Sequence, residues 1–374
     1  MKIAIITYHR SINYGSVLQS YALNKYLRQL GHTVETIDFS SDNQQKMYKH
    51  YEKIGSVMSI ARNVYSFVYS QAITKKEISF NAFIDQNIPL TDYKGNDYNG
   101  LCNLSSKYDL FLCGSDQIWN TRCYDFDLAY LLKFVEDKRK CCSYAASIGV
   151  DSLDKVSEDL FKKYISNFKC LSVRETTGAI YLEKIINRKI ESVLDPVFLL
   201  SDSEWSSISS DENIKEKFIL GYYIGDTDGM RKFGEELAKK TNSKVIVILK
   251  NLRDVYGKNK KKYSTGPREF LWLIEHAEYI CTNSFHAVAF SVIFKKKFWV
   301  FVNKSLDRKE NPHSRITDFT SILGLSDRVI DGESCEKINY DKVIDWKSVY
   351  EKLNPLIESS KLYLNKCLCE EECV

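Results

Sequence analysis

The residues of this chain that could do chemistry recur where apolar runs stop. Tyr279-Ile280-Cys281 breaks into Thr282-Asn283-Ser284, and His286 follows in the first turn of a helix-like segment from Phe285 to Phe294. Asp109 to Cys113 ends on Gly114-Ser115-Asp116, Cys141 to Ala145 on Ala146-Ser147, Leu171 to Val173 on Arg174-Glu175, and Val193-Leu194 on Asp195-Pro196. Near the start, Lys2 to Thr7 leads through His9 to the turn Asn13-Tyr14-Gly15-Ser16. An imidazole, carboxylates and a guanidinium are the groups for proton transfer and for fixing an anion. The unpaired amides and positive dipole end of a helix start suit a phosphate or carboxylate. Each residue also has a structural reading. Ser284 can cap its helix by accepting from the next turn's amides, Asp116 can do the same, Asp195 before a proline is a turn, and Trp119 is a core candidate. Arg174-Glu175 also reads as a surface ion pair, and His9 as either cleft-facing or structural.

The elements that must position these groups alternate. Lys2–Thr7, the helical spacing Val17 to Leu30 closed by Gly31, and Thr33–Phe39 make a strand–helix–strand opening, right-handed by default. Residues 42 to 88 read as a helical excursion. After the serine-rich stretch 201–211 a second pattern begins, with strands at Phe218–Tyr223 and Lys244–Leu249, helices at Gly229–Thr241 and from Pro267 to His276, and the unit Tyr279–Val302. Asp345 to Leu364 is again helical. The expectation is an α/β fold of two Rossmann-like domains facing across a cleft, 1–200 and 201–374, with the terminal helix packing back on the first. In such sheets ligands bind outside the carboxyl ends of the strands, where the row of polar turns would lie.

Composition narrows the function classes. The chain has 374 residues, too many for one ordinary core. A net charge of +4 gives no reason to expect nucleic acid, and no apolar run approaches the ~20 residues of a membrane helix. No secretory signal is visible at the start, so a cytoplasmic location is expected, with the 11 cysteines as reduced thiols. Cys367, Cys369 and Cys373 have the wrong spacing for a paired zinc motif, and no metal site is expected. The run Lys258 to Lys262 reads as a solvated loop, or as a contact for an acceptor phosphate or the inner membrane face.

Taken together, Asn13-Tyr14-Gly15 with Gln19, Cys113-Gly114-Ser115-Asp116-Gln117-Ile118-Trp119-Asn120, Tyr144-Ala145-Ala146-Ser147-Ile148-Gly149, Ser172-Val173-Arg174-Glu175, Asp195-Pro196 and Ser284-Phe285-His286 resemble the polysaccharide pyruvyl transferase family. The blocks fall in the expected order over roughly residues 1 to 330. The resemblance implies a GT-B-like fold and transfer of a carboxyethylidene group from phosphoenolpyruvate to two hydroxyls of a hexose, galactose-like and either free or carried on a polyprenyl diphosphate. It implies His286 and Asp116 as catalytic groups. Arg174, Ser284, Asn283, Arg315 and Lys297 would bind the donor, and Asn13, Tyr14, Gln19, Gln117 and Trp119 the acceptor. Phosphoenolpyruvate is then a co-substrate, and no metal or other cofactor is required.

One departure stands out. Better-understood members carry an arginine two positions before the histidine, where this chain has Ser284. Arg174, Arg315 or a lysine of the 295–297 cluster is left to supply that charge. Two other functions fit the fold: a nucleotide-sugar glycosyltransferase, and a glycan-binding subunit without activity.

Overall fold

The computed structural model describes residues 1–47, 70–150, 152–224, 228–248, 260–262, 265–302, 314–331, 340 and 342–369. Two parallel sheets organise them. The first contains β1 (Lys2–Ile6), β2 (Thr33–Phe39), β3 (Leu90–Gly95), β4 (Leu110–Cys113) and β5 (Cys141–Ser143) in the order β3-β2-β1-β4-β5. Single bridges, Cys142 to Cys170 and Ala146 to Val173, continue it toward β6 (Ser172–Val173), which pairs with β7 (Glu191–Ser192). The second contains β8 (Phe218–Tyr222), β9 (Lys244–Ile248), β10 (Lys260–Lys262), β11 (Tyr279–Thr282), β12 (Lys297–Val302) and β13 (Val329–Asp331) in the order β10-β9-β8-β11-β12-β13.

The strands read as they do because both faces of each sheet are covered. Ile3 to Ile6, Leu110 to Cys113 and Tyr279 to Thr282 are buried without a break, the pattern of parallel strands under helices on both sides. Strand order reverses between β1 and β4 in the first sheet and between β8 and β11 in the second. At such a reversal the flanking connections leave on opposite faces and open a crevice at the carboxyl ends.

Helices close the crevices. α1 (Tyr14–Gln29) starts three residues before the expected Val17, because the Asn13 side chain accepts from Gly15 N at 3.1 Å and sets the cap. The other helices used below are α2 (Thr176–Ile186), α3 (Phe285–Ile293), α4 (Ser314–Ile322) and α5 (Trp346–Leu368). The expected strand at Val193-Leu194 forms two residues earlier, as β7. β3 and β13 form where the sequence shows no clear alternation. In the 42–88 excursion, Asp42–Met47 and Ser70–Asn87 are helical, and 48–69 lie outside the described residues.

One apolar cluster joins the two sheets' helices. It runs from Tyr14, Val17 and Phe83 to Phe270, Phe285 and Phe290. α5 ties both ends: Tyr350 Oη donates to Val292 O at 3.1 Å, and Tyr363 Oη to Ser143 O at 2.8 Å. Its distal residues Tyr363, Leu364 and Cys367 share a core with β1 and β4. No helix among the described residues is long and apolar enough to cross a membrane.

Candidate active site

Four helix starts converge on one point. α1 arrives with Gly15, α2 with its N-cap Glu175, α3 with its N-cap Ser284, and α4 with Arg315 in its first turn. The approach of α1 to α3 is close enough that a Cβ on Gly15 would stand 2.0 Å from His286 Nδ1. Arg174 crosses from the end of β6 to lie 4.8 Å over the Phe285 ring, and Arg315 Nε stands 4.0 Å from Glu175 Oε1. Neither Glu175 nor Ser284 makes a side-chain cap bond. The first-turn N–H groups of α2 and α3 are thus not tied by their own caps, and the helix dipoles add a positive potential at the same place.

Asp195 is the hub. Its Oδ2 accepts from Arg174 Nη1 at 2.7 Å and from Ser115 Oγ at 3.0 Å, and lies 3.3 Å from His286 Nε2. Its Oδ1 caps the following turn by accepting from Val197 N at 3.2 Å. Ser147 Oγ donates to Glu175 Oε1, and Ser16 Oγ to Asp116 Oδ2. Asp116 has φ 73° and ψ −178°, a region that other residues leave to glycine. Such a backbone costs about 1–3 kcal/mol and persists only when surroundings dictate it. Here the carboxylate also accepts from Gln117 N at 2.9 Å, and Asp116 O accepts from Ser147 N at 2.9 Å.

Burial works against the charge on Asp195. His286 and Arg174 outweigh it and hold the carboxyl well below the usual carboxylate range. Arg174 loses solvation by burial, yet Asp195 and Glu175 raise its pKa. Burial and the neighbouring Arg174 lower Arg315, which remains a cation at any ordinary pH. Three carboxylates therefore face two guanidiniums and an imidazole. What the cluster offers an anion is directed N–H groups more than a large excess of charge.

Several atoms of these paired groups make no hydrogen bond, although Arg174 Nε lies 3.6 Å from Glu175 Oε1. Arg174 Nε and Nη2, Glu175 Oε2 and His286 Nε2 are buried and make no hydrogen bond; the His286–Asp195 contact is within ion-pair distance but poorly aligned. Buried polar atoms are paired in folded proteins with few exceptions, and here the exceptions gather at one point, where a bound anion would find donors. A cavity of about 280 Å³ opens beside the cluster, on the side of Arg174 and Arg315 away from His286, lined in part by Arg174, Glu175, Asp195, Phe285, Arg315 and Phe319.

The sequence-derived residues divide. His286, Arg174, Arg315 and Asp116 meet in this cluster, with Gln117 beside Arg315; turned to satisfy its neighbours, the Gln117 amide oxygen accepts from Arg315 Nη2 at 2.6 Å. Ser284 borders it and its hydroxyl makes no cap bond, so the cap reading of that side chain is corrected. Asn13 stands at the rim as the α1 cap.

Five expectations are corrected. Tyr14 is fully buried, stacks on Phe270 with centroids 4.3 Å apart, and donates to Thr265 O at 2.7 Å, so it joins the two halves and does not meet an acceptor. Gln19 is buried and bonded to Thr7 Oγ1 and Ser16 O. Trp119 is core: its Nε1 donates to Tyr130 O at 2.9 Å and its ring meets Phe161 edge-on. Asn283 uses both ends of its amide on the Ile224 backbone, pinning the β8 and β11 ends together. Lys297 sits at the start of β12 beside Tyr279, at the opposite edge of the sheet from Ser284. Of the lysine-rich run, Lys258 and Asn259 lie outside the described residues, as do His313 and Cys373, and Lys260–Lys262 form β10.

Glu175, Ser16 and Gly15 join the site although the sequence reading assigns them no role. A buried Arg-Glu pair at a helix start is the signal that points to Glu175. His9 is buried away from this cluster, 3.0 Å from Asp38 Oδ1. The expectation that the cysteines are all reduced thiols is corrected. The sulfurs of Cys142, Cys170 and Cys367 lie within 4.8 Å of one another, and Cys170 is disulfide-bonded, so the thiols are not all reduced.

Among solved structures, the chain is similar to a putative UDP-N-acetylglucosamine 2-epimerase from Listeria monocytogenes at 8% identity and TM-score 0.51, covering 100% of this chain and 92% of that one. It is also similar to the UDP-GlcNAc 2-epimerase from Neisseria meningitidis (13%, TM-score 0.48, 99% and 95% covered) and to glycosyltransferase SsfS6 from Streptomyces sp. SF2575 (9%, TM-score 0.46, 98% and 99%). At 8% identity the likeness to the Listeria protein concerns the fold alone, two Rossmann-like units in a GT-B-like arrangement, as the two parallel sheets show. No curated protein matches the chain. The family model for polysaccharide pyruvyl transferases matches residues 13–305, a span that begins at the Asn13 cap and takes in Asp116, Arg174, Asp195 and His286, and the chain belongs to that family.

Proposed function

We propose that the protein transfers the pyruvyl group of phosphoenolpyruvate to two hydroxyls of a hexose, closing a cyclic ketal. The observation that carries this reading is the convergence of four helix starts on Arg174, Arg315 and His286, with guanidinium and imidazole nitrogens that make no hydrogen bond. Phosphoenolpyruvate presents a phosphate and a carboxylate, and directed amides and guanidiniums suit both.

The proton balance assigns two roles. Each sugar hydroxyl gives up one proton as its oxygen bonds the donor's central carbon. One proton ends on the methylene carbon, making it methyl; the other leaves with the phosphate. Asp116, held by Ser16 and Gln117 N, accepts from the attacking hydroxyl. His286, backed by Asp195, delivers a proton on the donor side. A positioned acid or base is worth about 10²–10⁴-fold in rate. In this reading Asn13 and Gln117, which border the cluster, are the residues that would meet a hexose, carried on a lipid diphosphate or free.

Thermal-shift measurements with phosphoenolpyruvate and with UDP- and dTDP-sugars test the donor, because a ligand selective for the folded state raises its stability. A shift with phosphoenolpyruvate that Arg174→Ala abolishes supports the reading. A shift with nucleotide sugars alone returns the chain to glycosyl transfer.

A further inference from the structure

The crevice at the strand reversal of the first sheet is roofed by a loop. Residues 120–127 follow Asp116 and Gln117 out of β4. On that side Arg122 N donates to Asn120 Oδ1 at 3.1 Å, and Cys123 Sγ lies 3.7 Å from the Gln117 side-chain amide. On the other side the loop is tied just past β2: Ser41 Oγ donates to Asp125 O at 3.1 Å, and Asn43 Nδ2 to Tyr124 O at 2.8 Å. Because β1 lies between β2 and β4, the loop crosses the carboxyl end of β1. Tyr8, two residues past β1, is buried there, edge-on to Tyr130 with ring centroids 4.9 Å apart. A loop fixed on both flanks nevertheless leaves the Tyr124 ring 61% exposed, so folding gains little from that ring.

We infer that Tyr124 and Asp125 form the subsite that selects the acceptor hexose, the ring covering one C–H face of the pyranose and the carboxyl holding a hydroxyl on its edge. This rests on the reading that the substrate is a hexose. A pyranose has a face of C–H groups and an edge of hydroxyls. A tyrosine ring meets the face with a rigid, amphipathic surface at low cost in ordering. A carboxylate accepts from a hydroxyl more strongly than a neutral group does.

Asp125 is half-buried and lies in the field of Asp116. Burial and that like charge raise its pKa, while its own backbone amide and the Tyr8 hydroxyl offset part of the rise. Cys123 feels the same two carboxylates, and burial together with their charge pushes its thiol up to about 12. Two carboxylates that repel across one crevice gain from a ligand that donates to both. A sugar with neighbouring hydroxyls does so: one gives its proton to Asp116, and the next is held by Asp125. The Tyr8 hydroxyl beneath them is buried and makes no well-formed hydrogen bond, so it too is left for a sugar hydroxyl. The configuration at the carbon beside the reacting one then decides which hexose fits.

The test uses the full chain and the methyl glycosides of galactose, glucose and mannose. Without any donor, saturation-transfer NMR on the wild type should favour one glycoside, most strongly at the C–H protons of one face. Tyr124→Ala should lose that transfer, and Tyr124→Phe should keep it. With saturating phosphoenolpyruvate, Tyr124→Ala and Asp125→Ala should each raise KM for the glycoside about tenfold or more. In Tyr124→Ala, kcat and the KM for phosphoenolpyruvate should stay at wild-type values. The ring is exposed, so its variants should keep the wild-type fold, which thermal unfolding checks. If no phosphoenolpyruvate is consumed, the pyruvyl-transfer reading falls and the NMR arm still decides this inference. Transfer to none of the three glycosides by the wild type overturns it, as does wild-type transfer or an unchanged glycoside KM in Tyr124→Ala.

Discussion

Replacing Gly15 by alanine tests the site's geometry with a single methyl group. Ordinary contact begins at 3.4 Å, and the new Cβ would lie 2.0 Å from His286 Nδ1, so the imidazole must retreat by about 1.4 Å. The ring's Cγ would stand only 2.4 Å away as well, so the whole imidazole must swing aside, while Gly15 is held in α1 by the Asn13 cap and the apolar contacts of Tyr14. Its backbone has no need of glycine, and alanine is intrinsically better in a helix by up to about 1 kcal/mol. The fold should survive at a lower stability, which thermal unfolding of the variant measures beside the activity assay. Misplacing a reacting group by about 1 Å costs on the order of 10²-fold, and that is the loss expected in kcat for phosphate release from phosphoenolpyruvate and a hexoside. Gly229→Ala, where a Cβ meets nothing within 4 Å, is the control and should leave turnover unchanged. In a His286→Ala background the Gly15 substitution should have no further effect, since both act on one imidazole. Wild-type turnover in a folded Gly15→Ala protein would refute the reasoning, as would full additivity of the two substitutions.

Asp195→Asn should destabilise the protein by about 3–5 kcal/mol at pH 7, the cost of breaking one side of a buried ion pair. Asp195's folded pKa is depressed, so its contribution is complete above the ordinary value of 3.8 and is lost as pH falls below it. The gap between variant and wild type in denaturant titrations should accordingly narrow in acid. Trp119→Ala should cost about 3–5 kcal/mol of stability while KM for the hexoside stays put, because the ring fills core. Arg315→Ala should raise KM for phosphoenolpyruvate at least tenfold, whereas Lys297→Ala, at the far edge of the second sheet, should leave it alone in the same assay.

The rim is legible in the sequence because parallel strands are buried on both faces and stop abruptly at polar turns. That pattern alone puts Asp116, Ser147, Arg174, Asp195 and His286 at carboxyl ends. Side-chain direction is not legible. Tyr14 and Gln19 lie on α1, and which face of that helix turns inward is decided by Phe270 and Thr7, which lie on other elements. For Lys297 the sequence does hold the answer, since a residue that begins a parallel strand lies at the edge away from the strand ends. Asp195 reads as a turn because Asp-Pro is one; it caps the turn with Oδ1 while Oδ2 anchors Arg174. The cysteine cluster joins residues from β5 to α5, a meeting set by the packing of α5 that no spacing rule encodes.

The central claim is that the cluster around Arg174 and His286 takes phosphoenolpyruvate as donor. Its most direct test is incubation of the purified chain with phosphoenolpyruvate labelled at the central carbon and a panel of aryl and lipid-linked hexosides, followed by mass spectrometry and carbon NMR. The account predicts one inorganic phosphate released per sugar modified, a ketal carbon bearing the label and bonded to two sugar oxygens, and loss of both with His286→Ala. Label left in phosphoenolpyruvate across the panel, with a hexose transferred instead from a nucleotide sugar, would contradict it.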